Sequence, residues 1–184
     1  MTDVQRLVQF NPHPALTDVI YMARPIAAEI LLADSGSTDG TLDIVRGLGG
    51  CRIVEREYIN SGNFKNWAIP QANHEWVLIL DADERITPEL ADEIRQLLIA
   101  PQLDGYRIFR RNFFLGHEIR HCGWTNDGVL RLFRRDHGRY TDYGDHADVK
   151  VRTQRVGKLH GRLIHYTYWS LDQYLRKLDR YTML

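Results

Sequence analysis

Five consecutive apolar residues, Trp76-Val77-Leu78-Ile79-Leu80, run straight into Asp81-Ala82-Asp83-Glu84. A strand that is apolar at every position has no face to offer water. It must be covered on both sides, which is the condition of an inner strand in a layered α/β sheet. Such sheets bind ligands outside the carboxyl ends of their strands, and the two aspartates stand at that end. Were the extended geometry to continue through Ala82, Asp81 and Asp83 would point to the same side. Magnesium is commonly held by one or two carboxylates together with substrate phosphates. The pair therefore suits a metal–diphosphate complex, although an acidic turn that merely closes a strand before a helix has the same spacing.

The rest of the first half alternates strand and helix signals, the pattern of a parallel-sheet α/β domain. Ile30-Leu31-Leu32 is a second buried-strand signal. The turn residues Ser35-Gly36-Ser37-Thr38-Asp39-Gly40 follow it, and residues 41–48 then read as a helix with Leu42, Val45 and Leu48 on one face. Cys51-Arg52-Ile53-Val54 is a further short strand. After the acidic turn a helix begins with Thr87 as cap, Pro88 at its first position and Glu89 at the positive end of its dipole. Leu90, Ile94, Leu97 and Leu98 form its apolar stripe. Tyr106-Arg107-Ile108-Phe109 and Val129-Leu130-Arg131-Leu132-Phe133 read as later strands. Ser170 and Gln173 have capping-box spacing, ahead of a helix with Leu171, Tyr174, Leu175, Leu178 and Tyr181 on one face. That pattern is still running at Leu184, as in a fragment or a shortened family member.

Length and charge narrow the classes. A chain of 184 residues with 43% hydrophobic and 26% charged side chains suits one globular domain. The 24 basic and 24 acidic groups balance, so no global positive field argues for a nucleic-acid partner. Cys51 and Cys122 make no disulfide framework, which favours a reducing compartment. No stretch has signal-peptide or bilayer-spanning character. The expected location is cytoplasmic, with any membrane contact peripheral and at the inner face.

Leu32-Ala33-Asp34-Ser35-Gly36-Ser37-Thr38-Asp39-Gly40-Thr41 is a second acidic loop behind an apolar strand. Asp34 and Asp39 supply acceptors, and the following helix N-terminus offers free N–H groups to an anion. Alone it is a capped turn. Together, the two loops resemble family 2 glycosyltransferases: residues 34–41 look like a strand–loop motif of that family, and Leu80-Asp81-Ala82-Asp83-Glu84 like its metal-binding DxD. Asn63-Phe64-Lys65-Asn66-Trp67-Ala68, the Arg-Leu-Phe-Arg-Arg segment at residues 131–135 and His165-Tyr166-Thr167-Tyr168-Trp169-Ser170 are similar to the branch that adds sugars to the lipopolysaccharide core. The resemblance spans residues 29–184 as ordered motifs.

The resemblance implies a GT-A-like (Rossmann-like) α/β fold, a mostly parallel sheet flanked by helices in a single domain over residues 1–184. It implies transfer of a sugar, with inversion, from a nucleotide-diphosphate donor to a cell-envelope glycan or lipid-linked acceptor. A divalent metal, Mn2+ or Mg2+, would be held by Asp81 and Asp83, with His165 as a further ligand; a histidine packed among strand aromatics is the alternative for His165. Asp34, Asp39, Lys65, Asp81 and His146 would contact substrate. The branch carries a His-Glu pair in the loop that here reads Tyr143-Gly144-Asp145-His146-Ala147-Asp148, so Ala147 stands where the acid would be. Asp148 is the candidate base and Asp145 the second choice. The N-terminal strand is atypical: residues 4–10 are only partly apolar, and Asn11-Pro12-His13-Pro14 replaces the usual nucleotide-binding turn. Trp124, Tyr140 and Tyr143 could stack on a sugar but read more simply as buried aromatics. Arg131, Arg134 and Arg135 suit either an anionic acceptor or a solvated strand edge. Two rival functions share these motifs: a non-catalytic nucleotide-sugar or glycan-binding protein, and another metal-dependent nucleotidyltransferase.

Overall fold

The computed structural model describes residues 4–9, 15–141 and 147–182. In chain order the elements are β1 (Val4–Gln9), α1 (Ala15–Ala23), β2 (Glu29–Asp34), α2 (Thr41–Leu48), β3 (Cys51–Glu55), α3 (Ser61–Ala68), β4 (Trp76–Asp81), β5 (Glu84–Ile86) and α4 (Pro88–Leu97). There follow β6 (Gly105–Phe114), β7 (His117–Glu118), β8 (Gly128–Arg134), β9 (Gly138–Tyr140), β10 (Val149–Val151), β11 (Val156–Tyr168) and α5 (Leu171–Thr182).

One sheet runs in the order β3-β2-β1-β4-β8-β6-β11-β5, with β7 on β6. β1 to β4 are mutually parallel. β8 is antiparallel to both of its neighbours, β4 and β6, and β11 is parallel to β6. Direction is thus shared by β1 to β4, β6 and β11, and the sheet is mostly parallel. β5 pairs antiparallel with β11 at the edge, and β9 and β10 form a separate hairpin.

The uninterrupted apolar strands are explained by cover on both faces. Trp76, Leu78 and Leu80 of β4 pack with Ile30 and Leu32 of β2 against Val19 and Ile20 of α1, Val45 of α2 and Leu90 and Ile94 of α4. Val77 and Ile79 turn the other way, with Leu31 and Ala33, to meet Phe64 and Ala68 of α3 and the hairpin residues Tyr140, Val149 and Val151. Asp81 follows Val77 and Ile79 in the alternation and so faces α3 and the hairpin.

Local signals are met at α4, where Thr87 Oγ1 accepts from Leu90 N at 3.3 Å. At α5, Ser170 Oγ accepts from Gln173 N at 3.2 Å, while Gln173 Oε1 takes the amide of Trp169 at 3.0 Å. That is one residue earlier than a capping box requires. Tyr174 packs edge-on against Phe114 and Tyr168, but Leu171, Leu175 and Leu178 are 57%, 51% and 44% exposed. Among the described residues no helix is long and apolar enough to cross a membrane. Cys51 and Cys122 are both free thiols. β1 takes its place between β2 and β4; the turn at residues 11–14 lies outside the described residues.

Candidate functional site

Extended geometry ends at Asp81. Ala82 and Asp83 form a turn and β5 begins at Glu84. Arg85 pins that turn, its Nη1 donating to the carbonyls of Ala82 and Glu84 at 3.0 Å each. The condition for Asp81 and Asp83 to share a side is therefore not met, and the two carboxylates enter different surroundings.

Asp81 is absorbed into a buried ion cluster. Its Oδ1 lies 3.0 Å from Lys65 Nζ, delivered by α3, and its Oδ2 lies 2.5 Å from Arg131 Nη2, delivered by β8. Arg131 also reaches Glu84 Oε1 at 2.7 Å, and Arg110 Nη1 approaches the same oxygen at 3.4 Å. Glu84 Oε2 accepts from the Asp81 backbone N–H at 3.1 Å. Arg110 further pairs with Asp127, Nε to Oδ2 and Nη2 to Oδ1 at 2.8 Å. Burial alone would raise the Asp81 pKa, but Arg131 and Lys65 outweigh it and hold the carboxyl well below the usual range. Burial works against the charge on Lys65 too, yet Asp81 prevails and its pKa is raised. Arg131 follows the same rule, with Asp81 and Glu84 opposing its desolvation. Lys65 Nζ also sits 5.1 Å above the Tyr140 ring.

The cluster balances: Lys65, Arg131 and Arg110 against Asp81, Glu84 and Asp127. Asp83 is left over. Among the described residues it forms no ion pair with a lysine or arginine. Its Oδ1 is buried without a hydrogen-bond partner, and its Oδ2 lies 3.6 Å from His165 Nε2, a residue of β11. The other ring nitrogen, Nδ1, is 2.6 Å from Asn112 Oδ1. No group of three or more His, Cys, Asp or Glu side chains able to hold a metal occurs among the described residues. Asp83 and His165 would supply two ligands and leave the remaining positions to phosphate and water, as a divalent cation in a phosphate site often requires.

The other predicted residues fall in three places. Asp34, fully buried, spends its carboxylate on its own loop: Oδ2 accepts from Gly36 N at 2.8 Å and Ser37 N at 2.9 Å, and Oδ1 from Ser37 Oγ at 2.5 Å. Asp39 is exposed and accepts from Thr41 N, the first residue of α2, at 3.2 Å; contacts with Thr41, its side chain first, lower the Asp39 pKa. Asp148 is exposed at the base of the segment linking β9 and β10, where Thr141 N donates to its carbonyl at 2.9 Å. Asp145 and His146 lie outside the described residues, as does Tyr143. The base of that segment is fastened to α3: Asn66 Oδ1 accepts from Tyr140 N and Asn66 Nδ2 donates to Tyr140 O, each at 2.8 Å. One helix thus carries both Lys65 and the anchor of the hairpin.

Neither expectation for the arginines of β8 fits. Arg131 is buried in the ion cluster, Arg134 is stacked on Trp76 and paired with Asp104 and Glu75, and Arg135 donates to the Ala72 carbonyl at 2.6 Å. A charge between Leu130 and Leu132 in an otherwise apolar strand was the signal for Arg131, since a buried guanidinium demands a carboxylate. No such signal marked Glu84, Asn112 or Asp127, whose roles depend on partners tens of residues away.

The sheet order and the acidic turn behind β4 define a GT-A-like fold. S. aureus TarS in complex with UDP-GlcNAc superposes with a TM-score of 0.66 at 16% identity, over 90% of this chain and 59% of that one. Glucosyl-3-phosphoglycerate synthase from Mycobacterium tuberculosis, in complex with Mn2+, uridine diphosphate and phosphoglyceric acid, gives 0.68 at 17% identity over 97% and 75%. The chain belongs to glycosyl transferase family 2, whose model matches residues 14–147. It is 31% identical over 168 residues to the lipopolysaccharide core biosynthesis glycosyltransferase LpsC of Rhizobium meliloti, covering 85% of this chain and 60% of LpsC. It is 22% identical over 187 residues to an uncharacterized glycosyltransferase, RT0209, of Rickettsia typhi, at 96% and 64% coverage. The chain therefore spans somewhat under two thirds of the length of these relatives.

Proposed function

We propose that this chain carries out metal-dependent, inverting sugar transfer from a nucleotide-diphosphate donor to a cell-envelope glycan or lipid-linked acceptor, at the cytoplasmic face of the membrane. One observation carries this reading. Three cations and three carboxylates, with Lys65, Glu84 and Arg131 buried, pair with one another behind the carboxyl end of β4, while Asp83 stands outside that set with an unpartnered buried oxygen and faces His165 Nε2. A carboxylate without a direct cation partner and an imidazole nitrogen are suitable ligands for Mn2+ or Mg2+. A cation bound there supplies charge stabilisation for the departing diphosphate.

Asp83 and His165 bind and orient in this scheme. Asp81 shapes the floor, held by Lys65 and Arg131 so that its charge is already spent inside the protein. The Asp34 loop and the start of α2 would receive the nucleotide. Asp148, at the exposed base of the hairpin segment, takes the proton of the acceptor hydroxyl as the new C–O bond forms and the bond to diphosphate breaks. Asp145 is the second candidate.

The test is donor binding and turnover with a set of nucleotide-sugars, with and without Mn2+. Asp83→Ala removes a partly exposed side chain, so the fold should survive while metal-dependent donor binding is lost. Unchanged metal dependence in that variant would sink the DxD assignment. Release of a sugar phosphate with a nucleotide monophosphate would favour a nucleotidyltransferase. Donor binding without transfer or hydrolysis in the unaltered protein would favour a binding protein.

A further inference from the structure

We infer that Asn112 is a positioning residue that holds a hydrogen on Nδ1 of His165 and so turns Nε2 toward Asp83; the inference rests on the metal reading above. The chain of contacts begins at Arg110. Its guanidinium grips Asp127 with two bonds of 2.8 Å, so Asp127 stands as a carboxylate and can only accept. Asn112 Nδ2 donates to Asp127 Oδ2 and to the carbonyl of Trp124, at 3.0 Å each. Both amide hydrogens are thereby used on acceptors that have nothing to donate. Turning the amide over would set its oxygen against two other oxygens, and Asn112 is only 2% exposed, so water is poorly placed to relieve the clash.

The amide oxygen is therefore directed at His165 Nδ1, 2.6 Å away. An amide oxygen only accepts, so Nδ1 must carry the hydrogen. In a neutral ring this leaves the lone pair on Nε2, which faces Asp83 Oδ2 at 3.6 Å, beyond ordinary hydrogen-bond distance. A metal-binding histidine is commonly oriented in this way, by a bond from its other ring N–H to a neighbouring acceptor. Four side chains from β6, the segment before β8, and β11 thus decide which nitrogen is offered beside the acidic turn.

The first measurement needs no variant. Long-range 1H–15N NMR of the metal-free protein, recorded at a pH high enough for the ring to be neutral, should show His165 protonated on Nδ1. A neutral ring protonated on Nε2 instead overturns the inference. The second measurement is the affinity for Mn2+ alone, read from its paramagnetic broadening of neighbouring signals, in Asn112→Leu and Asn112→Ser, each checked by its melting transition. Loss of the acceptor should redistribute the tautomers of His165 and weaken Mn2+ binding about 10- to 100-fold. His165→Gln separates the two levels. If it leaves Mn2+ affinity unchanged, the metal reading fails. If it weakens Mn2+ while both Asn112 variants keep the wild-type tautomer and affinity, the metal reading stands and the positioning role is wrong. Should both Asn112 variants fail to fold, the wild-type tautomer decides.

Discussion

At the scale of single residues, the decisive fact is that two aspartates two positions apart have opposite circumstances. Asp81 is matched by Lys65 and Arg131, whereas Asp83 faces a histidine. A buried ion cluster gives little net stability over an apolar core, because desolvation offsets attraction; removing one partner is costly, because it strands the others. Arg131→Met should therefore destabilise the protein by about 3–5 kcal/mol in urea unfolding, and a loss below about 1 kcal/mol would mean the cluster is solvated. The same cluster sets an acid limit. The Asp81 carboxyl is depressed in the folded state, so its stabilisation is fully present above the unfolded carboxylate pKa of about 4. It is lost as pH falls below that value, because the unfolded chain takes up the proton first. Urea midpoints measured from pH 7 to pH 3 should be level at first and then decline. The candidate base belongs to this scale as well. Asp148→Asn should lower turnover by on the order of 100-fold with donor affinity nearly unchanged. The same phenotype in Asp145→Asn alone would move the assignment, and no effect in either would place the base elsewhere.

At the scale of elements, α3 is the joint between the acidic turn and the β9–β10 hairpin. Lys65 reaches Asp81 from it, Asn66 clasps the backbone of Tyr140, and Gly62 lets the hairpin approach. A Cβ on Gly62 would stand 2.5 Å from the Thr141 carbonyl oxygen and 2.9 Å from the Ala147 methyl. Glycine inside a helix ordinarily costs about 0.5–1 kcal/mol relative to alanine. Here the contact is with backbone, and overpacking of that kind costs about 1–3 kcal/mol. Gly62→Ala should thus lower stability where helix propensity alone says it should raise it, and a higher melting temperature would show that the hairpin is free to move. Much of the element pattern was legible: residues 41–48 and the Thr87–Pro88 helix start follow from periodicity and capping, which act within a turn or two of chain. β5 and the length of β11 were not legible. β5 is three residues whose partner, β11, lies some eighty positions on, and short edge pairing leaves no local signature. The apolar face of α5 was read correctly as a stripe, yet among the described residues it is covered only at Tyr174.

At the scale of the whole molecule, the chain supplies a sheet covered on both faces, with the acidic turn, the ion cluster and His165 gathered behind β4. What the sequence determined alone was the set of strands and helices whose signals are local, and the positions of the acidic loops at strand ends. An uninterrupted apolar strand requires cover on both faces whatever the covering elements prove to be, so the layered α/β class followed from β4 and β2 without knowledge of any contact. The tertiary structure alone decided which of the acidic residues has charge to spare. Arg131 is fifty residues from Asp81, and His165 still farther from Asp83; they meet because β8 is wedged antiparallel beside β4 and because β11 pairs with β5, His165 opposite Glu84. Electrostatic partnership falls off over a few ångströms and is indifferent to sequence separation. Two aspartates that look equivalent in the sequence therefore become one carboxylate paired with Lys65 and Arg131 and one that faces His165.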